Sequence, residues 1–143
     1  MSDWDPEAFE NALIEDMRAH GGKVTLGPMA GHPLLVMTTT GARSGQPRRR
    51  ILTFSRDGED FVVAGTAAGS PKDPLWLNNL RTHPEVSVEA ENRPFTATAT
   101  IVADGMERDR LWDQHVAALP HFATYPEQTG RVIPMVRLTP TRK

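Results

Sequence analysis

The chain contains no cysteine. That absence excludes thiol nucleophiles, CxxC redox pairs, iron–sulfur ligation and disulfides together, so any redox chemistry has to come from a bound cofactor, and a reducing cytoplasm is the expected setting. Long apolar runs are also missing. No stretch approaches the roughly 20 residues that span a bilayer, and Met1-Ser2-Asp3-Trp4-Asp5 is acidic where a signal peptide would be basic and then apolar. The five histidines, at 20, 32, 83, 115 and 121, fall into no HExxH or two-His-carboxylate spacing, so no metal is expected. There is no G-x-S-x-G elbow, and His115 lies among apolar neighbours, as a packed histidine does. One tyrosine and five phenylalanines leave little aromatic surface for stacking bases, so nucleic acid is not an expected partner.

Acidic residues are missing from one long segment. Between Met17 and Arg56 there are seven Lys and Arg residues and no Asp or Glu, although the chain as a whole carries a formal charge of -2. The remainder therefore sums to -9, and a focused positive field inside an acidic protein attracts and concentrates anions. An anionic ligand is the expectation.

The 143 residues suit one domain, 1–143, with residues 1–30 as a leading helix and linker and 31–143 as the body. Asp5-Pro6 starts a helix in which Phe9, Leu13 and Met17 recur at i, i+4 and i+8 until Gly21-Gly22. Leu34–Thr39, Ile51–Phe54 and Phe61–Ala64 read as strands, the last two joined by a turn at Asp57-Gly58. Asp73-Pro74 opens a second helix that His83-Pro84 ends. Val86, Val88 and Ala90 alternate with polar residues, turn at Asn92-Arg93 and return through Phe95, Ala97 and Ala99 as an antiparallel hairpin. Asp104 and Glu107 have capping-box spacing ahead of Leu111, Trp112, Val116 and Leu119, and Ile133–Leu138 reads as a closing strand. About six antiparallel strands with three helices predict an α+β barrel with helices packed outside. A doubly wound sheet would demand regular strand–helix alternation.

Three segments carry chemistry. Gly41-Ala42-Arg43-Ser44-Gly45 can bring amide groups close to an oxyanion, with Arg43 and the Ser44 hydroxyl as further donors; it also reads as an ordinary hairpin loop. In an extended strand Arg48 and Arg50 point to one face and Arg49 to the other, so at most two of the three can serve one ligand directly. Their planar forks suit phosphate and carboxylate. Gly65-Thr66-Ala67-Ala68-Gly69-Ser70-Pro71-Lys72 is built of small residues up to its lysine, which lets backbone approach a flat ligand or makes a plain connector. Trp76 and Asn79, three apart, share one side of the second helix.

These blocks together resemble the deazaflavin (coenzyme F420)-dependent nitroreductase family. The resemblance runs from about Leu34 to Pro140 and rests on Thr38–Gly45, Arg48-Arg49, Gly69–Trp76, Asn79, Pro84, Val86, Ile133-Pro134 and Leu138–Pro140. It implies a split β-barrel of the flavin-reductase type, with coenzyme F420 in a groove along one side. It further implies a tail held by Ala42, Arg43, Ser44, Arg48 and Arg49. The ring would lie against Arg50, Ile51, Leu52 and Thr53 and against Ala64, Gly65, Thr66 and Ala67. Lys72 ends the loop that follows, and Leu75, Trp76, Leu77, Asn78 and Asn79 complete the contacts.

Departures from the family pattern concern the acceptor. Leu77-Asn78 stands where Tyr-His is common, and of Leu119, Phe122 and Tyr125, where relatives carry tyrosines, only Tyr125 has a hydroxyl. A substrate pocket lined by Leu119 and Phe122 is more apolar, suiting flat enones, lactones or quinones as well as nitroaromatics. The expected reaction is hydride transfer from the reduced coenzyme, with Thr66 near the reacting ring and Tyr125 as proton donor or gate. The alternatives are an FMN-dependent oxidoreductase on the same barrel and a non-catalytic deazaflavin carrier, as monomer or homodimer.

Overall fold

The computed structural model describes residues 6–25, 31, 33–65, 75–91, 93–120, 122 and 132–141. Helix α1 (Pro6–Ala19) is followed by strands β1 (Leu34–Thr40), β2 (Pro47–Thr53), β3 (Ser55–Asp57) and β4 (Asp60–Ala64). Helix α2 (Leu75–Thr82), strands β5 (Glu85–Ala90) and β6 (Arg93–Val102), helix α3 (Gly105–Ala118) and strand β7 (Met135–Pro140) complete the elements among the described residues. No described helix is long and apolar enough to cross a membrane.

The seven strands form one antiparallel sheet in the order β2-β1-β5-β6-β7-β4-β3. Strands β2 and β3 are separated by Phe54 alone, yet they occupy the two opposite edges. One residue can join both edges only if the sheet curls round until they meet, which makes a barrel with a split between β2 and β3. Phe54 is buried at this junction, and its N–H donates to Pro33 O at 3.0 Å. The arginine run and Ile51–Thr53 are one strand, and a short separate strand follows it, so there are seven strands where the sequence pattern suggests about six.

Strand alternation divides the apolar side chains. Leu35 and Met37 of β1 and Phe61 and Val63 of β4 enter the barrel interior, where Val86, Val88, Val136 and Leu138 meet them. Leu34 and Val36 face outward beneath α1, against Leu13, Ile14 and Met17, and Val62 and Ala64 face outward beneath α3, against Leu111. Helices α1 and α3 therefore cover outer faces, as the sequence implies. Helix α2 differs: Trp76, Leu77 and Leu80 join the interior cluster, so this helix plugs the barrel. Burying each such side chain contributes roughly 1.5–3 kcal/mol.

Helix α1 ends where the glycines stop its apolar period. Gly21 has φ +67°, and the Gly22 N–H donates to Met17 O at 2.7 Å, the six-to-one bond of a Schellman cap. The capping box expected at α3 does not form. Asp104 is the N-cap residue but makes no side-chain cap hydrogen bond, and Glu107 turns to Arg110 and Arg137 instead. The closing strand begins two residues later than its pattern suggests because the Ile133 and Pro134 carbonyls accept hydrogen bonds from elsewhere. Arg108 Nε donates to Ile133 O at 2.8 Å and the Gly65 N–H to Pro134 O at 2.9 Å.

Candidate cofactor site

The turn between β1 and β2 is closed by its own backbone. The Gly41 N–H donates to Gln46 O at 2.8 Å, the Gly45 N–H to Gly41 O at 3.0 Å, and the Gln46 N–H to Ser44 Oγ at 3.1 Å. A Cβ on Gly41 would sit 2.5 Å from Ser44 Oγ, so only glycine lets the hydroxyl tuck in here. The Ala42 N–H is taken by Asn79 of α2, whose Oδ1 accepts it at 3.0 Å. The Arg43 and Ser44 N–H groups are left with no hydrogen bond among the described residues. Two successive unengaged amides on a tight turn make an anion-binding concavity.

A cleft of about 280 Å³ opens between this turn and α2. Gly41, Ala42, Arg43 and Ser44 line one side, Trp76, Asn78 and Asn79 the other, and Arg48 and Arg50 project into it from β2. Asn78 is oriented by Arg81, whose Nη1 donates to Asn78 Oδ1 at 2.9 Å. A larger hollow of about 680 Å³, between Gly21–Thr25 and Phe54, is lined among the described residues by one charge of each sign, Lys23 and Glu91.

The electrostatics set the cleft arginines apart from six others. Arg18, Arg49, Arg56, Arg108, Arg110 and Arg137 are each ion-paired to a carboxylate. Arg43, Arg48 and Arg50, which line the cleft, have no carboxylate partner among the described residues; Arg50 reaches only the Arg49 carbonyl, at 2.9 Å. Cations held together without counter-charges repel one another until an anion arrives.

Arg49 goes elsewhere. The strand alternation carries it to the α1 side, where Nη2 donates to Asn11 Oδ1 at 3.0 Å and lies 3.4 Å from Glu10 Oε1. The resemblance assigned it to the tail together with Arg48, but the cleft receives Arg48 and Arg50. Ile51 packs toward the α1 cluster and Leu52 toward the interior, while Thr53 pairs with Leu34; none of these side chains lines the cleft. Ala64 and Gly65 are buried at the end of β4. The bare backbone of Gly65 is needed by protein packing, since a Cβ there would lie 2.8 Å from Leu77 Cδ1 and 3.2 Å from Pro134 Cγ. Leu77 is wholly buried in the interior rather than in the cleft.

Leu119 and Phe122 sit in the cluster beneath α3, with the Phe122 ring edge-on to His115 at 4.5 Å. His115 is itself fully buried, and its Nδ1 lies 2.7 Å from Ser55 Oγ. Leu75 opens α2. Thr66, Ala67, Lys72 and Tyr125 lie outside the described residues. Thr39 is the residue that sequence reasoning missed. Its buried hydroxyl accepts from Asn79 Nδ2 at 3.0 Å and donates to Arg48 O at 3.3 Å. The polar Thr38-Thr39-Thr40 run at the end of an apolar strand was the available signal.

A curled seven-stranded antiparallel sheet with a cationic cleft at one turn defines a split-barrel protein. Similarity to known proteins narrows this class. The family model for F420H(2)-dependent quinone reductase matches residues 12–140, so the chain belongs to that family. An F420H(2)-dependent quinone reductase of Mycobacterium tuberculosis is 34% identical over 109 residues, which cover 75% of this chain and 73% of that protein. The solved F420-H2-dependent reductase FDR-A superposes with a TM-score of 0.68 at 33% identity, covering 74% of this chain and 93% of the other. A protein solved as a domain-swapped dimer gives a TM-score of 0.69 at 28% identity over 94% of this chain and 99% of its own.

Proposed function

We propose that the protein is a reductase that takes hydride from reduced coenzyme F420 and passes it to a flat, electron-poor small molecule: a quinone, an enone or lactone of coumarin type, or a nitroaromatic. The observation that carries this reading is the set of three arginines, Arg43, Arg48 and Arg50, that converge on one cleft without carboxylate partners among the described residues. They match a ligand with a polyanionic tail, and the two unengaged amides at Arg43 and Ser44 match its oxygens. Trp76 supplies an apolar wall at the far side of the same cleft.

The coenzyme, when bound, supplies the hydride. The chain's own residues bind, orient and exclude water. In this reading Arg43, Arg48, Arg50 and Ser44 would hold the tail, and Trp76 and Asn78 of α2 would flank the ring. Thr66 offers a hydroxyl to the reacting region, and Tyr125 or solvent delivers the proton that completes reduction of the acceptor. Leu119 and Phe122, buried beneath α3, would form the apolar side of the acceptor pocket.

Fluorescence titration with coenzyme F420 and with FMN, each at two salt concentrations, tests the binding step. Tight F420 binding that weakens steeply with salt, beside weak FMN binding, is expected, because screening acts on every exposed charge pair. Preference for FMN would replace the cofactor and keep the fold. F420 binding with no turnover of quinones, enones, lactones or nitroaromatics would make the protein a carrier.

A further inference from the structure

Asn79 lies half-buried on α2, 37 residues from the turn it contacts. A backbone N–H can only donate, so the side-chain atom facing Ala42 is Oδ1, and Nδ2 is then the atom that faces Thr39. Both ends of the amide are engaged in protein hydrogen bonds. The chain of donors runs from Asn79 Nδ2 to Thr39 Oγ1 and on to the Arg48 carbonyl, so one side chain ties the last turn of β1, the apex of the loop and the first residues of β2.

From this geometry we propose that Asn79 is a positioning residue for the anion site, acting through the turn and through Thr39. By taking the Ala42 N–H it fixes the peptide orientation that leaves the Arg43 and Ser44 amides unengaged. Through Thr39 it fixes the backbone of Arg48, and so the direction in which that guanidinium leaves the strand. Helix α2 carries Trp76 on the same cleft, so the link also sets the distance between the tail site and the apolar wall. This inference rests on the deazaflavin reading.

The test compares coenzyme F420 with the deazaflavin riboside that lacks the anionic tail, by fluorescence titration of the unsubstituted protein, Asn79→Ala, Thr39→Val and the double variant. Loss of one orienting hydrogen-bond network predicts that Asn79→Ala weakens F420 binding about tenfold while riboside binding stays within about twofold. Thr39 is buried and outside the cleft, so Thr39→Val should act in the same direction, with the double variant well short of additive. Thr39→Ser, which keeps the hydroxyl, should restore binding. Equal loss of both ligands, which direct ring contact or a damaged fold would produce, overturns the proposal. So does additivity of the two substitutions. An unsubstituted protein that binds neither ligand overturns the deazaflavin reading and this inference with it.

Discussion

Asn79 Oδ1 accepts the Ala42 N–H at 3.0 Å, joining a helix to the tip of a hairpin that precedes it in the chain by more than thirty residues. Without this bond the Ala42 amide would be one more donor in the turn. With it, the turn has a fixed apex, two unengaged amides and an arginine strand of defined direction. The cleft thus depends on how α2 is seated in the barrel, where Leu77 and Leu80 anchor it.

Arg43→Ala and Arg48→Ala should each weaken F420 binding by roughly ten- to a hundredfold, the range for losing a charge-assisted hydrogen bond. Each should also flatten the salt dependence. Arg49→Ala should leave affinity within about twofold and act on stability instead, because its partners are Glu10 and Asn11 of α1. A larger binding loss for Arg49→Ala than for Arg48→Ala would reverse the assignment of faces.

Gly65→Ala should destabilise the fold by about 1–3 kcal/mol, since the added methyl overpacks the contact with Leu77 and Pro134. Leu77→Ala alone should cost about 2–5 kcal/mol. Chemical denaturation of the double variant should show less than the sum, because removing the Leu77 side chain makes room for the methyl. Strict additivity would mean that the two residues do not press on each other.

The Arg110 guanidinium, and behind it Arg137, hold the Asp57 carboxyl well below the usual range, from 3.8 to about 2. A depressed folded-state value means that the unfolded chain binds the proton first, so the stabilisation is complete above about pH 4 and fades as pH falls toward 2. Thermal melting of Asp57→Asn against the unsubstituted protein should show its largest gap near neutrality and a closing gap across that window. High salt should narrow the gap at every pH. A gap that persists unchanged at pH 2 would assign the loss to packing instead.

Ser55→Ala removes the hydroxyl 2.7 Å from His115 Nδ1 in a fully buried setting. A loss of about 1–3 kcal/mol is expected for a buried polar group deprived of that partner. Coenzyme affinity should not move, because the pair lies under α3 and away from the β1–β2 turn. A change in F420 binding without a change in melting temperature would instead connect this pair to the site.

Much of the architecture is legible in the residues. The apolar period of α1, the Gly21-Gly22 stop, the β5–β6 hairpin and the seat of α3 each follow from local pattern, and local pattern reflects backbone geometry that neighbours in sequence share. Two features were not. The Asp104/Glu107 spacing suggested a cap that the structure does not use, because Arg110 and Arg137 offer Glu107 a full charge where the backbone offers a partial one. Nor did local pattern show that α2 would enter the barrel interior with Trp76, Leu77 and Leu80, since three helices packed outside were expected.

The arginine run marks the boundary between what local sequence settles and what it leaves open. The two-residue period of a strand is a covalent property of extended backbone, so the sequence by itself determined that Arg48 and Arg50 share one face and Arg49 takes the other. It also determined the excess of positive charge and the glycines that allow the turn. Only the tertiary structure decided which face borders the cleft. Glu10 and Asn11 of α1 cover one side and satisfy Arg49, while Asn79 and Trp76 of α2 frame the other, where Arg48 and Arg50 have no carboxylate partner among the described residues. Those neighbours come from some thirty to forty residues away on either side of the run. Coulomb attraction and hydrogen bonding depend on distance in space, and folding alone sets that distance.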